Sequence, residues 1–225
     1  MFDWIKGETA QTDLENDTAL SGDGYLVTGQ NGLLAGTHVV SNLGWRKVEA
    51  LSIGDKVLTF DNAMQTVTGI QRETLWIAEA SQSHPETLPV HVPSGALNNR
   101  RDLWLMSGQG LMIESDSAMD ALGDPFAVIA AQVLTGYRGI TRAAPAGKLE
   151  IVILSFARDE VIYVEGGLLA YCPLPRDILL PAGASNEDLY DVLDLEEGRG
   201  LVQQMIAGQQ TRGFTYERDE VACLS

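Results

Sequence analysis

The chain has 225 residues, 45% hydrophobic and 20% charged, which supplies a substantial core and excludes a globally disordered chain. Fifteen Lys and Arg stand against 31 Asp and Glu, a net charge of −16. A negative field repels phosphates, so nucleic acid is excluded as an expected partner.

In chain order, the N-terminal stretch MFDWIKGETAQ has no basic region followed by an apolar one, and so does not read as a Sec signal peptide. Residues 1–24 hold six acids and one base and read as an acidic N-terminal extension, with Phe2, Trp4 and Ile5 as candidate contact residues. Residues 25–180 are rich in short strand-like runs punctuated by Gly, Pro, Asn and Asp, the pattern of an all-β domain. The candidate strands are Tyr25–Thr28, Thr37–Ser41, Lys56–Phe60, Thr66–Trp76, Pro89–Val92, Leu103–Met106 and Leu111–Glu114. Phe126–Ile129 reads as a strand running into one helical turn at Ala130–Leu134. Leu149–Phe156 is a β-branched run too short for an average helix. Arg158, Asp159 and Glu160 then read as the polar turn of a hairpin, with Val161–Val164 returning. Asn31-Gly32 favours a tight turn, so a further hairpin is expected from Tyr25 to Val40.

Residues 181–225 change character and read as an acidic helical appendix. Residues 185–225 hold nine acids and three bases. Ser185 and Asn186 are expected to cap a helix whose apolar face is Leu189, Val192 and Leu193. Gly198 and Gly200 are expected to break it before a second short helix of Leu201, Val202, Met205 and Ile206. Cys172 and Cys223 form neither a CxxC pair nor a ligand cluster. They read as free thiols, with a single disulfide as the alternative, and neither a metal nor another cofactor is expected. No apolar run approaches the ~20 residues that span a bilayer. The expectation is a soluble protein with no membrane partner, either cytoplasmic or assembled into an exported particle without a cleaved signal.

Four segments carry a resemblance when taken in order. They are AGTHVVSNLGWRKVEALSIGDKVLTFD, LPVHVPSGALNNRRDLWLMSGQGLMI, FAVIAAQVLTG and EIVILSFARDEVIYVEGGLLAYCPLP. With their Gly-Thr (Gly36, Thr37), Gly-Asp (Gly54, Asp55) and Glu-Gly (Glu165, Gly166) landmarks, residues from about Gly32 to Asp177 resemble the Hedgehog/intein (Hint) domain in its bacterial form. The resemblance implies a mainly β fold, a compact pseudo-symmetric horseshoe of curved strands, here with a short helical C-terminal appendix.

The resemblance also implies a chemistry. A Cys or Ser four residues before the glycine of the Gly-Thr step attacks the preceding carbonyl, and a histidine at the end of a later strand polarises the scissile peptide. Counting back from Gly36 puts Gly32 at the nucleophile position. Matching LMSGQGLMI puts Gly110 at the histidine position, with Ser107 and Gln109 as neighbours that are not general acids at neutral pH. Glycine has no nucleophile, so the degenerate positions Gly32 and Gly110 imply a domain that does not cleave itself. His38, His84 and His91 read as strand or loop residues, Asp55 and Glu165 as turn-ordering acids, and Asp102 as a framework acid. The functional expectation is a non-catalytic module with a structural or protein-interaction role. It would act through protein partners or self-association, as part of an assembly such as a virion, phage-like or secreted particle. The alternative is self-cleavage or splicing through an unrecognised nucleophile, for which Thr28, Thr37 and Ser107 are the candidates.

Overall fold

A computed structural model describes residues 31–76, 88–115, 118, 125–143, 145, 147–174, 190 and 192–207. The described chain is mainly β, folded into two curled antiparallel sheets with one C-terminal helix. The first sheet holds β1 (Leu33–Leu34), β6 (Gly69–Trp76), β7 (Val90–Val92), β8 (Leu103–Leu105), β11 (Thr141–Arg142) and β12 (Lys148–Ser155), in the order β11-β7-β8-β1-β12-β6. The second holds β2 (His38–Ser41), β3 (Gly44–Lys47), β4 (Lys56–Leu58), β5 (Met64–Thr66), β9 (Gly110–Glu114), β10 (Phe126–Ala130), β13 (Glu160–Val164) and β14 (Leu168–Cys172). Its order is β10-β9-β14-β13-β2-β4-β5, with β3 paired to β2.

One core joins the sheets. Leu33, Leu105 and Val152 from the first pack with Val39, Leu111, Ile129 and Ile162 from the second. Buried β-branched and leucine side chains each contribute about 1.5–3 kcal/mol, and alternation along the strands sends them inward, as in β7, where His91 is half-buried between buried Val90 and Val92.

Tyr25–Thr28 lies outside the described residues; the other strands expected from periodicity are present within a residue or two of their bounds, but three connections differ from expectation. Thr66–Trp76 is not one strand. Val67 turns fully into the core, accepts a hydrogen bond from Gly54 and donates one to the carbonyl of Asp55, and so splits the run between the two sheets. The hairpin expected from Leu149–Phe156 to Val161–Val164 is absent. Instead, β12 pairs along its whole length with β6 and on its other edge with β1, whereas β13 lies between β2 and β14. Phe156 is the reason. Its ring is buried in the shared core, so the chain crosses between sheets where a polar hairpin turn was expected. The expected Tyr25 to Val40 hairpin lies partly outside the described residues. In its described half, β1 pairs with β8 and β12 while β2 belongs to the other sheet.

The appendix differs too. Ser185, Asn186 and Leu189 lie outside the described residues. Val192 and Leu193 are not helical: Val192 bridges Val128 in parallel, and the Leu193 amide donates to the Val128 carbonyl. Residues 195–207 then form helix α1, which runs through both Gly198 and Gly200. Its cap is Asp194, whose Oδ1 accepts from the amides of Glu196 and Glu197 at 2.7 and 2.8 Å, while Glu197 Oε2 accepts from the Asp194 amide at 3.1 Å. This is a capping box, with two orphan ends satisfied reciprocally. Gly198 is tolerated because it buys closeness: a Cβ there would sit 3.3 Å from Val133 Cγ2 and 3.4 Å from Ile129 Cγ2. Leu201 and Val202 bury the next turn against the same surface.

Two substitutions in α1 should move stability in opposite directions, read by urea unfolding. Asp194→Ala removes the cap and lowers stability by about 1 kcal/mol. Gly200→Ala raises it by about 0.5–1 kcal/mol, because a Cβ at position 200 meets nothing within 4 Å and helix propensity favours alanine.

Candidate functional site

Gly32 and Gly110, the positions at which the resemblance implies a nucleophile and a histidine, are brought together by Gln109. Gly32 immediately precedes β1, and Gly110 opens β9. Gln109 ends the tight turn between β8 and β9, where its amide donates to the Met106 carbonyl and its carbonyl accepts from Ala131. Its side chain is 3% exposed. The Oε1 atom accepts from the Gly32 amide at 2.9 Å, and Nε2 donates to the carbonyls of Gly110 at 2.9 Å and Tyr171 at 2.8 Å. The partners fix which end of the side-chain amide is which: one neighbour is a donor and two are acceptors. Both N–H groups are therefore used.

Neither glycine has room for a larger residue. Gly32 has φ +123°, in the range that favours glycine, and a Cβ there would lie 2.5 Å from Ile151 Cγ2, 3.0 Å from Ile153 Cγ1 and 3.3 Å from the Val152 carbonyl oxygen. At Gly110, a Cβ would meet Tyr171 Cδ1 at 3.0 Å and both Tyr171 Cβ and Val128 Cγ1 at 3.1 Å. A side chain at Gly32 collides with β12, and one at Gly110 requires Tyr171 and Val128 to give by a few tenths of an ångström. Asn31 precedes this cluster with its side-chain Oδ1 buried and without a hydrogen-bond donor among the described residues. Ser107 is buried beside it, its carbonyl held by the Gln132 amide at 2.9 Å.

The remaining sequence-derived residues form separate structural devices. Thr37 is buried and its carbonyl accepts from Val48, while the Gly36 amide donates to Glu49 Oε2 at 2.8 Å. Glu165 is buried, with φ +44°, and its Oε1 accepts from the His38 amide at 2.7 Å and faces His38 Nδ1 at 3.1 Å. Its backbone also pairs with His38 and Arg100, and Gly166 leaves room for the Arg100 side chain, which a Cβ would meet at 2.7 Å. Gly54 and Asp55 order the turn before β4. Asp55 Oδ2 accepts from the Ser52 amide and from Arg46 Nη1, both at 2.9 Å. The Ser52 amide first, and then the Arg46 guanidinium, hold the Asp55 carboxyl below its ordinary range. His91 Nε2 lies 3.3 Å from Asp102 Oδ2, and its ring lies 4.8 Å from the Trp104 ring, tilted by 45°. Thr28, His84 and Cys223 lie outside the described residues.

Sequence reasoning passed over two buried polar groups. Gln109 carried a readable signal, a long amide inside an apolar run flanked by glycines. Glu160 was expected in an exposed turn but opens β13 at 1% exposure. Its Oε2 accepts from Asn62 Nδ2 at 3.1 Å, and it faces Cys172 across the strand pair. Burial and then the Glu160 charge push the Cys172 thiol up to about 12. Burial, followed by the hydrogen bond to Asp61, also raises the Tyr190 phenol. Among the described residues no group of three or more His, Cys, Asp or Glu could hold a metal ion, and no helix is long and apolar enough to cross a membrane.

The sequence matches a family model described as the Hint domain over residues 31–170. No curated protein matches the chain. Among solved structures, a splice-inactive variant of the AceL NrdHF class 3 split intein is 14% identical, with 64% of this chain and 99% of that one covered and a TM-score of 0.43. The bacterial intein-like domain from Clostridium thermocellum is also 14% identical, with 64% and 99% covered and a TM-score of 0.39. The gp41-1 intein is 10% identical, with 62% and 97% covered and a TM-score of 0.39.

Three outcomes follow from the cluster. Gln109→Leu removes three buried hydrogen bonds, one from the Gly32 amide and two to the carbonyls of Gly110 and Tyr171, and lowers stability by about 3 kcal/mol in urea. Gly32→Ala costs about 2–4 kcal/mol, from left-handed strain plus overpacking, and exceeds Gly36→Ala, which has the strain alone; equal costs would contradict the close packing at Gly32. The protonated Cys172 thiol contributes stability that is present below its unfolded value of 9.0 and lost as pH rises through about 12. Maleimide at mildly alkaline pH should therefore label Cys172 only after unfolding, as read by peptide mass mapping.

Proposed function

Because the chain belongs to the Hint-domain family, we propose that it is a Hint-fold module without self-cleaving chemistry, kept for a structural or protein-interaction role. The observation that carries this reading is the Gln109 side chain. Acyl transfer to a nucleophile needs a thiol or hydroxyl against the carbonyl before it, and a group that can give a proton to the leaving amine. At position 32 there is only a backbone amide, bound to Gln109 Oε1. At position 110 there is a glycine packed against Tyr171 and Val128. The side chain that links them is a neutral amide, which neither attacks nor titrates near neutral pH. The two losses reinforce each other, since positioned acid–base groups alone are worth about 10²–10⁴-fold in rate.

The hydroxyls that a residual reaction would draw on among the described residues, Thr37 and Ser107, are both buried, and each has its carbonyl bound to another part of the fold. Their surroundings favour a structural use. On this reading the two sheets serve as a rigid platform, and the segments added to the family core are the contact elements. Function then resides in what the platform presents rather than in the inherited reaction.

An intact-mass time course on the purified full chain tests this, with and without thiol or hydroxylamine. The expected result is a single species of 24.3 kDa throughout. Fragments that end at residue 31 or begin at Gly32 would overturn the proposal and return the chain to the self-cleaving class.

A further inference from the structure

A polar cleft lies between the turn at Ala131–Leu134, strand β11 and helix α1. It has a volume of about 330 Å³ and is lined by Gln132, Val133, Thr135, Arg142, Arg199 and Gln203. That volume is at the lower end of the range for small-ligand sites. Its lining carries two guanidinium groups and two side-chain amides, and no acid, in a chain with 31 Asp and Glu.

The arginines elsewhere show what this chain does with a guanidinium it uses structurally. Arg46 is paired with Asp55 at 2.9 Å and Arg72 with Glu150 at 3.2 Å. In the cleft, Arg142 Nη2 donates to Gln132 Oε1 at 3.0 Å. That contact holds the Arg142 side chain in place and consumes no charge. Arg199 and Gln203 have no ion pair or side-chain hydrogen bond with any described residue.

The placement is built into the fold. Arg199 and Gln203 are four apart in α1 and so share a face. Gly198, immediately before Arg199, brings the helix within van der Waals reach of Val133 and Ile129. The Asp194 cap fixes the start of the helix, and buried Leu201 and Val202 fix its rotation. Four of the six lining residues come from residues 131–142, inside the stretch that matches the family, and two from α1, outside it. The appendix thus adds a second charged wall to a surface that the family core leaves open.

We infer that this cleft binds a carboxylate group, presented by an acidic peptide segment or by a free dicarboxylate. Planar guanidinium forks match a carboxylate bidentately, and the amide NH₂ groups of Gln132 and Gln203 supply neutral donors beside them. In a chain of net charge −16 the cleft is a local exception to a surface that repels anions. The inference rests on the binding-module reading and gives that reading a partner chemistry.

The test uses the full chain. A short fluorescein-labelled Glu-rich peptide is titrated by fluorescence anisotropy, alongside its Gln-substituted counterpart, and glutarate and inorganic phosphate are added as competitors. The labelled acidic peptide should bind, the Gln peptide should not, and glutarate should displace the bound peptide. Glutarate binding without peptide binding, seen by nuclear magnetic resonance shifts of the arginine side chains, assigns the cleft to the free dicarboxylate. Arg199→Glu, on an exposed position, should weaken binding by roughly 10–100-fold with an unchanged unfolding midpoint, and Arg142→Gln should weaken it as well. Binding that ignores both substitutions, competition by phosphate alone, or no binding of either carboxylate probe at millimolar concentration would each overturn the inference. An uncleaved chain that binds no carboxylate leaves the proposed function standing, whereas a cleaved chain that binds one overturns only that proposal.

Discussion

The amide of Gln109 is the constraint on which the centre of the molecule depends. Its three hydrogen bonds reach the residue before β1, the first residue of β9 and the C-terminal half of β14. The first lies beside one sheet and the other two belong to the other, so a single buried side chain ties the sheets together. Buried amides and carbonyls left unpaired cost far more than a made hydrogen bond gains, and the bonds therefore hold β1 in one register. A neutral amide also does this without placing a charge in the core. A nucleophile and an imidazole at the same place would need space and a proton path, and the side chains of Ile151, Tyr171 and Val128 have closed that space.

The landmarks shared with the family turn out to be joints. The Gly-Thr step lets the chain leave one sheet and enter the other, with the Gly36 amide anchored on Glu49. Asp55 closes its own turn and holds Arg46 beside it. Glu165 sits in a left-handed conformation that costs roughly 1–2 kcal/mol for a residue with a side chain, and offsets it by accepting from the His38 amide while Arg100 donates to its carbonyl. These contacts join residues far apart in sequence, 127 positions in the case of His38 and Glu165. They fix the framework through the backbone and through side chains that lie apart from Gly32 and Gly110.

Much of the strand content was legible because period-two alternation reports burial directly, as in β7, and because a β-branched apolar run too short for an average helix marks β12. The connections were less legible because they follow from long-range competition. The run from Leu149 to Phe156 looks like the first arm of a hairpin until its edges are seen to be occupied by β1 and β6, and nothing local says that Phe156 belongs in the core. The single helix α1 was hidden for a similar reason. Gly198 and Gly200 read as breakers by propensity, but one is required by the closeness of Val133 and the other is tolerated within a helix fixed by its cap and its buried face. At the candidate site, the glycines at positions 32 and 110 were visible in the sequence. What joins them was not, because an amide that bonds two carbonyls and an N–H is recognised only when its partners, up to 77 positions away, are in place.

β1 has a consequence for how the molecule carries load. It is two residues long, yet it lies inside its sheet, with β8 on one edge and β12 on the other. The chain upstream of Asn31 therefore joins the fold at the middle of a sheet and not at a free edge. Tension applied there runs along the strand and shears the bonds on both sides at once, together with the Gly32–Gln109 bond, instead of peeling them one after another. The junction is thus a mechanical anchor, and a segment on its N-terminal side is tethered to the core of the domain for as long as the chain stays uncut at this point.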